Sequence, residues 1–361
     1  MKGAPSPWSE IPPELAGLVL HRLHAHIDRV RFAAVCKQWR SAAQQVPLPP
    51  PLPVLALKDG TFYSMPRGEP LHFPGCDGGF VMASGNWLVY NRLHCLLLVD
   101  PFSGATMTLP ALRSIYPLEE SMDMVVVKLI ECSPHLIAAL FKGGRNFWIA
   151  VCQPGDSSWS AAQKLPMGIL DIAFYQEKLY ALSFLQDLFA LDISVDDNTG
   201  NPQVALIGRV IKGGYIYLDH NFMRVLYLIE SRGSLLMVRR SIFHEHGHGK
   251  GQIHTFAEQC EPELAVFEPD FGQSRWTNAM TVGDDQVLFL GTFSRAVCMP
   301  LCDSQDKRMW LLDDYRRDHC DGETCSGTGD MRIGKYSCPL PMISWRAHNL
   351  CAGAVWLFPS N

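Results

Sequence analysis

Two periods of apolar spacing divide this chain. Residues 8 to 43 read WSEIPPELAGLVLHRLHAHIDRVRFAAVCKQWRSAA. Within them, Leu15, Leu18, Val19 and Leu23 recur at helical spacing and make one stripe. Phe32, Val35, Cys36 and Trp39 follow at i, i+3, i+4 and i+7 and make a second. Pro12 and Pro13 open the first helix, because the first helical turn does not need the N–H that proline lacks. His24-Ala25-His26 interrupts the stripe, and Asp28 is placed to cap a second helix with its carboxylate. Arg29, Arg31, Lys37 and Arg40 lie mainly off the apolar face. The pattern predicts a compact three-helix unit.

From residue 54 the period changes. Apolar runs of four to eight residues are divided by Gly, Asp, Asn and Pro, which is the texture of short strands. Examples are Trp87 to Tyr90, Cys95 to Val99, Leu136 to Phe141, Ile169 to Tyr175, Leu188 to Ile193, Leu235 to Val238 and Val355 to Phe358. About two dozen such runs over some 308 residues, with no long amphipathic helix between them, exclude a βαβ fold. The runs also repeat as pairs. Asn86–Val89 goes with Leu97–Pro101, Lys178–Ala181 with Leu188–Asp192, and Arg224–Tyr227 with Ser234–Val238. Repeats of about 40 to 50 residues with four strands each are the mark of a β-propeller. The length then gives about six or seven blades. A large β-sandwich or two smaller β domains are the alternatives.

Between the two textures lies VPLPPPLP, residues 46 to 53. Its prolines favour an extended polyproline helix, which makes either a stiff spacer or an ordinary boundary linker. The expected division is a helical domain at 8–45, a proline-rich linker at 46–53 and a β-propeller at 54–361.

A helical unit of this size buries little by itself, so its two apolar stripes imply either a docking surface or a face packed on the rest of the chain. Here the sequence resembles a known family. Ile11-Pro12-Pro13-Glu14-Leu15, then Asp28-Arg29-Val30-Arg31-Phe32, then Val35-Cys36-Lys37-Gln38-Trp39-Arg40 is similar to an F-box. The one visible departure is Ile11, where leucine is usual. The resemblance implies binding to a SKP-type adaptor protein, and through it membership of a cullin–RING ubiquitin ligase. It implies adaptor contacts at Ile11, Pro12, Leu15, Val35, Cys36 and Trp39. The strand-rich part resembles the kelch-like propeller of plant F-box proteins whose C-terminal part is classed as a domain of unknown function. The segments that carry this are Asn86–Tyr90, Asp100–Ala105 before Leu109-Pro110, Asp171–Tyr175 with Lys178–Leu182, Val266–Phe271, Gly283–Gly291 and Met309–Asp314. Met309-Trp310 and a Cys-rich insertion at 315 to 338 depart from the pattern. Trp356-Leu357-Phe358-Pro359 resembles a terminal strand that completes a blade. The expected fold is thus a small all-α F-box of three helices followed by an all-β propeller.

Composition adds modest constraints. The chain has 361 residues, 47% hydrophobic and 19% charged, which is globular composition. Its net charge of −5 argues against a general nucleic-acid binder. Residues 1 to 46 carry +3 and the remainder −8, so the helical unit suits an acidic protein partner. The first twenty residues lack a signal-peptide core, and no apolar run reaches membrane-spanning length. Twelve cysteines are scattered, several inside apolar runs such as Cys95, Cys132, Cys152 and Cys298, which suggests reduced thiols and a cytoplasmic or nuclear protein.

Candidate chemistry is sparse. His244, His246 and His248 alternate in a glycine-rich loop, and Cys302, His319, Cys320, Cys325 and Cys338 form a loose cluster without zinc-knuckle spacing. Gly247–Gly251 lacks the full phosphate-loop pattern. Asp196-Asp197, Asp284-Asp285 and Asp313-Asp314 sit where turns are expected. Trp87, Trp148, Trp159, Trp276 and Trp310 read mainly as packing between blades. No catalytic residue, metal or cofactor is assigned. The expected function is a non-catalytic substrate-recognition subunit of an SCF-type ubiquitin ligase, with the propeller holding an unknown target protein. The alternative is a propeller-based ligand- or metal-binding protein or enzyme with structural N-terminal helices, or an F-box protein acting outside degradation.

Overall fold

A computed structural model describes residues 11–65, 67–112, 124–198, 200–214, 222–243, 263–279, 286–291, 294–298, 309–311 and 354–360. Three helices come first: α1 (Pro13–Arg22), α2 (His26–Ala34) and α3 (Lys37–Gln45). Twenty-three strands follow among the described residues.

The strands assemble into antiparallel four-stranded sheets. The first blade is β4 (Met82–Ser84), β5 (Trp87–Asn91), β6 (Cys95–Val99) and β7 (Thr106–Pro110). The second is β8 (Val125–Ser133), β9 (Leu136–Gly143), β10 (Asn146–Cys152) and β11 (Gln163–Leu165). The third is β12 (Ile169–Tyr175), β13 (Lys178–Ser183), β14 (Leu188–Val195) and β15 (Pro202–Ile211). The fourth is β16 (Phe222–Ser231), β17 (Ser234–Phe243), β18 (Glu263–Asp270) and β19 (Arg275–Asn278). The fifth closes the ring. Its strands β1 (Val54–Ala56), β2 (Phe62–Ser64) and β3 (Glu69–Leu71) are completed by the last strand of the chain, β23 (Val355–Leu357), which pairs with β1.

The propeller therefore has five four-stranded blades among the described residues, not the six or seven expected from length. Between the fourth and the closing blade stands a smaller sheet of β20 (Gln286–Leu290), β21 (Arg295–Cys298) and β22 (Met309–Leu311), in which β22 pairs with β20 in parallel. Dividing the length by a blade repeat assumed that strands are spread evenly. Here residues 244–262 fall between two strands of one blade and residues 312–353 precede the strand that closes the ring, and both segments lie outside the described residues along with both histidine and cysteine clusters.

Why the strands read as continuous apolar runs is clear from β9. Ile137, Ala139 and Phe141 pack toward the first blade, while Ala138 and Leu140 pack toward the third. Alternate residues of a strand face opposite ways, so a strand between two sheets must be apolar on both faces. In β20 the same rule sends Val287 and Phe289 to the closing blade and Leu288 and Leu290 to the fourth. That small sheet thereby fills the gap in the ring.

Polar ties accompany the packing. The Trp159 indole N–H donates to the Pro110 carbonyl at 3.0 Å, Trp276 to Gln186 at 2.7 Å and Trp356 to Leu290 at 3.1 Å. Each joins one sheet to the sheet before it, satisfying a donor that burial would otherwise strand. Trp148 is buried as expected. Nearer the axis, Lys128 of β8 meets Asp171 of β12 at 2.5 Å with both side chains buried. The same carboxylate accepts the amide of Ile172 at 2.8 Å and of Leu228, on β16, at 2.7 Å. One residue thus links three blades. Asp196 does what turn aspartates do: it accepts the Asn198 amide at 2.9 Å. Cys152 is buried and Cys95 and Cys132 half-buried, all free thiols. Burial pushes the Cys132 thiol up to about 12, and that of Cys152 higher still.

Asp171→Ala is expected to lower stability by about 3–5 kcal/mol in urea unfolding, because it removes the carboxylate beside the buried Lys128 ammonium. Replacing both partners at once, Lys128→Met with Asp171→Leu, is expected to recover the part of that loss due to the buried charge but not the part due to the Ile172 and Leu228 amides, which lose their acceptor.

Candidate functional site

Among the described residues, no group of three or more His, Cys, Asp or Glu is spaced to hold a metal. The helical unit presents a surface of unusual character. Pro13 occupies the first position of α1 with Pro12 as its cap residue, and Glu14 sits in the first turn, where the helix dipole favours an anion. Asp28 is not a cap. The α2 cap position is Ala25, and Asp28 lies inside the first turn, 3.7 Å from Arg31. The second apolar stripe is also not one helix, because Cys36 is extended at φ −159° and separates α2 from α3.

The helices form their own small core from Ala16 and Leu20 of α1, Phe32 of α2 and Ala42 of α3. Trp39 lies against Phe32 with ring centroids 4.4 Å apart. Leu23, expected on the outer stripe, instead packs onto this core together with Ile11. Leu15, Leu18 and Val19 are on the opposite side of α1 and face solvent, with Leu15 50% and Leu18 62% exposed. Val30 is exposed as well, and Val35, at the α2–α3 junction, is 59% exposed. Of the six residues singled out from sequence, Pro12, Leu15 and Val35 are therefore exposed, while Ile11, Cys36 and Trp39 are half-buried. Leu18 and Val19 belong to the same apolar face by helical spacing.

The helical unit is not loosely tethered. Leu52 in the proline-rich segment donates its amide to the His24 carbonyl at 2.8 Å and forms a parallel bridge with Ala25. Its side chain is buried in the core cluster formed by the closing blade and β20, which includes Trp356 and Phe289. Arg29 donates to the carbonyls of Leu23 and Pro49, each at 2.7 Å. Arg31 forms a two-pronged pair with Glu69 of β3. The His26 ring meets Phe102 edge-on at 4.9 Å, and Phe102 continues through Phe73 to Phe62 of the closing blade. The segment at 46–53 is thus a strap bonded to both neighbours rather than a free spacer. Sequence reasoning placed Arg29 and Arg31 as off-face charges within an F-box-like motif and assigned neither a partner. Their partners lie 20 and 38 residues away, so no local pattern marks them.

Comparison with known proteins decides the family. The KIB1-4 beta-propeller model matches residues 54–314, and an F-box-like model matches residues 8–48. The chain belongs to the KIB1-4 beta-propeller family. Among its curated relatives, the Arabidopsis thaliana F-box protein SKIP23 is 22% identical over 82% of this chain and 82% of its own. The Arabidopsis thaliana F-box protein At2g14290 is 28% identical over 53% of this chain, and the match spans 61% of that relative. The Arabidopsis thaliana F-box protein At2g17690 is 49% identical over 39 residues, 11% of this chain and 9% of its own. Among solved structures, the N-terminal domain of Nup159 covers 62% of this chain and 57% of its own at 9% identity, and its TM-score of 0.33 is too low to carry an argument. In this KIB1-4 chain the F-box-like segment coincides with the helices whose outer apolar face is uncovered.

His26 supplies a pH test of the joint between helices and propeller. Burial first, then the nearby Arg29 charge, holds its pKa below the ordinary 6.5, with Asp100 opposing. The neutral ring is therefore favoured in the folded state. Its contribution is complete above pH 6.5 and is lost as pH falls through the lowered folded value. Thermal melts at pH 7.5 and 5.5 are expected to show a smaller acid-induced drop for His26→Phe than for the parent, because phenylalanine keeps the ring contact without a titrating group.

Proposed function

We propose that this chain is the substrate-recognition subunit of an SCF-type E3 ubiquitin ligase. On this reading residues 8–45 are an F-box domain that docks a SKP-type adaptor, residues 46–53 are the connector, and residues 54–361 are a kelch-like propeller domain that recruits a target protein. The observation that carries it is the exposure of Leu15, Leu18 and Val19 along one face of α1. A folded chain does not leave three large aliphatic side chains in a row on a helix without a partner to cover them, and such anchors carry most of the energy of an interface. The family membership and the relatives bearing the F-box name support the same reading. Adaptor contacts are proposed at Ile11, Pro12, Leu15, Val35, Cys36 and Trp39.

The chain contributes no bond-making group in this mechanism. It raises the effective concentration of target lysines near the ubiquitin donor by holding both parts in one complex. Free thiols at Cys76 and Cys152 fit a reducing compartment, and we assign the protein to cytoplasm or nucleus of a plant cell, its relatives being Arabidopsis proteins.

Leu15→Asp combined with Leu18→Asp is expected to abolish pull-down of a SKP-type adaptor with no change in melting temperature, since both side chains are already in water. Undiminished pull-down overturns the proposal. Trp39→Ala is a poorer test, because loss of its packing on Phe32 is expected to destabilise the helical unit by about 2 kcal/mol.

A further inference from the structure

The propeller has two ends, and strand pairing assigns them. Val54 of β1 pairs with Leu357 and with Ser64, and Ser64 pairs with Glu69, the residue that holds Arg31. The helices therefore sit at the end where β23 terminates. Phe358 donates its amide to Gly85, just beyond β4, so β4 terminates at that end too. The inner strands β4, β8 and β12 then run the same way round the ring, linked by Ser84 to Leu129 and by Lys128 to Asp171. The N-terminal end of β12 is consequently on the face away from the helices.

Three connections meet there in the third blade: 166–168, 184–187 and 212–214. Phe184 donates its amide to the Gly168 carbonyl at 2.8 Å, and its ring lies over Gly168, where a Cβ would fall 2.2 Å from Phe184 Cδ1. Gly168 has φ +76°, which suits only glycine without strain. Gly213 donates to the Asp187 carboxylate at 2.9 Å, and a Cβ at Gly213 would lie 1.8 Å from the Leu185 carbonyl oxygen. The three loops are thus interlocked and set in advance of any ligand. What they present is apolar: Met167 is 68% exposed and Phe184 49%, with Leu170 and Leu185 exposed beside them.

The charge around this patch is positive. Lys212 is exposed next to Gly213. Arg145 is exposed in the turn of the second blade, two residues before Phe147, which pairs with Leu165 at the base of the 166–168 connection. The nearby acids are engaged: Asp187 with the Gly213 amide and Arg209, and Asp171 with Lys128. Bulky apolar side chains beside free cations fit a peptide of the opposite charge.

We infer that the interlocked loops carrying Met167, Phe184 and Leu185 are a docking site for an acidic protein segment that places a bulky apolar side chain between carboxylates. This deepens the reading above, on which it rests for the role of that segment as the degradation target. The two faces are opposite, so an adaptor on α1 and a target on the third blade do not compete for space.

The test is selection from a random twelve-residue phage-displayed peptide library on the immobilised full chain. Peptides combining Phe, Leu or Met with Asp or Glu are expected to be enriched. Synthetic versions are expected to bind the Phe184→Ser/Leu185→Ser variant at least tenfold more weakly, and the Lys212→Glu/Arg145→Glu variant likewise. Enrichment of basic or purely polar peptides, no enrichment, or equal binding to the variants overturns the inference. Both Ser substitutions are at exposed positions, and an unchanged melting temperature shows that the fold is intact. The Leu15→Asp/Leu18→Asp variant is expected to select the same peptides, and the Phe184→Ser/Leu185→Ser variant to retain the adaptor. Loss of one property without the other therefore tells failure of this site from failure of adaptor docking.

Discussion

The Leu52 amide bonded to His24, with the Leu52 side chain buried in the core cluster that also holds Trp356 and Phe289, is the contact on which the rest of the molecule depends. Through this one residue the α1–α2 connection is bonded to the strap, whose Leu52 side chain is buried in the propeller core. Around it the Arg29 guanidinium holds both the end of α1 and the strap, while Arg31 and His26 reach the propeller at Glu69 and Phe102. The Arg31–Glu69 pair is exposed and by itself weak. Leu52 and the buried portion of the strap do more, because apolar burial is not screened by salt and leaves little room for rocking. A three-helix unit too small to stand alone is in this way made part of a larger rigid body.

That arrangement explains why the outer face of α1 stays uncovered. The helices attach through α2 and the strap, leaving the Leu15–Leu18–Val19 face turned to solvent. It also fixes what the propeller can do. With one end occupied by the helices, the third blade shows at the opposite end, among the described residues, apolar side chains on loops held by close glycine contacts. On the proposed function, geometry takes the place of chemistry: a rigid ring sets the distance between the two surfaces.

Much of this was readable in the sequence, and the exceptions have physical causes. Three helices and an all-β remainder follow from spacing, since helical and strand periods are local properties. The terminal Trp356 strand was recognisable and does close the ring. Blade number was not readable. The three repeated strand pairs are out of phase: Lys178–Ala181 with Leu188–Asp192 joins the second and third strands of a blade, whereas Arg224–Tyr227 with Ser234–Val238 joins the first and second. Their spacing therefore does not measure a blade. In the helical unit, Leu15 and Leu23 were assigned to one stripe, yet Leu15 is exposed while Leu23 turns inward, because α1 ends at Arg22 and the helical period no longer applies. The bonds of the strap were not legible for a different reason. Proline spacing reports local stiffness and nothing about what Arg29 or His24 does to it from a distance. The apolar loops of the third blade gave no signal at all, since Met167 and Phe184 stand near runs that otherwise read as core.

Amide hydrogen exchange at Leu52 in the intact protein tests the central claim most directly. A strap that fixes the helices to the ring gives a Leu52 amide protected to the same degree as the amides of β1 beside it. Exchange at the rate of an unstructured peptide, with β1 still protected, would mean that the helices swing on a free tether and would contradict the account.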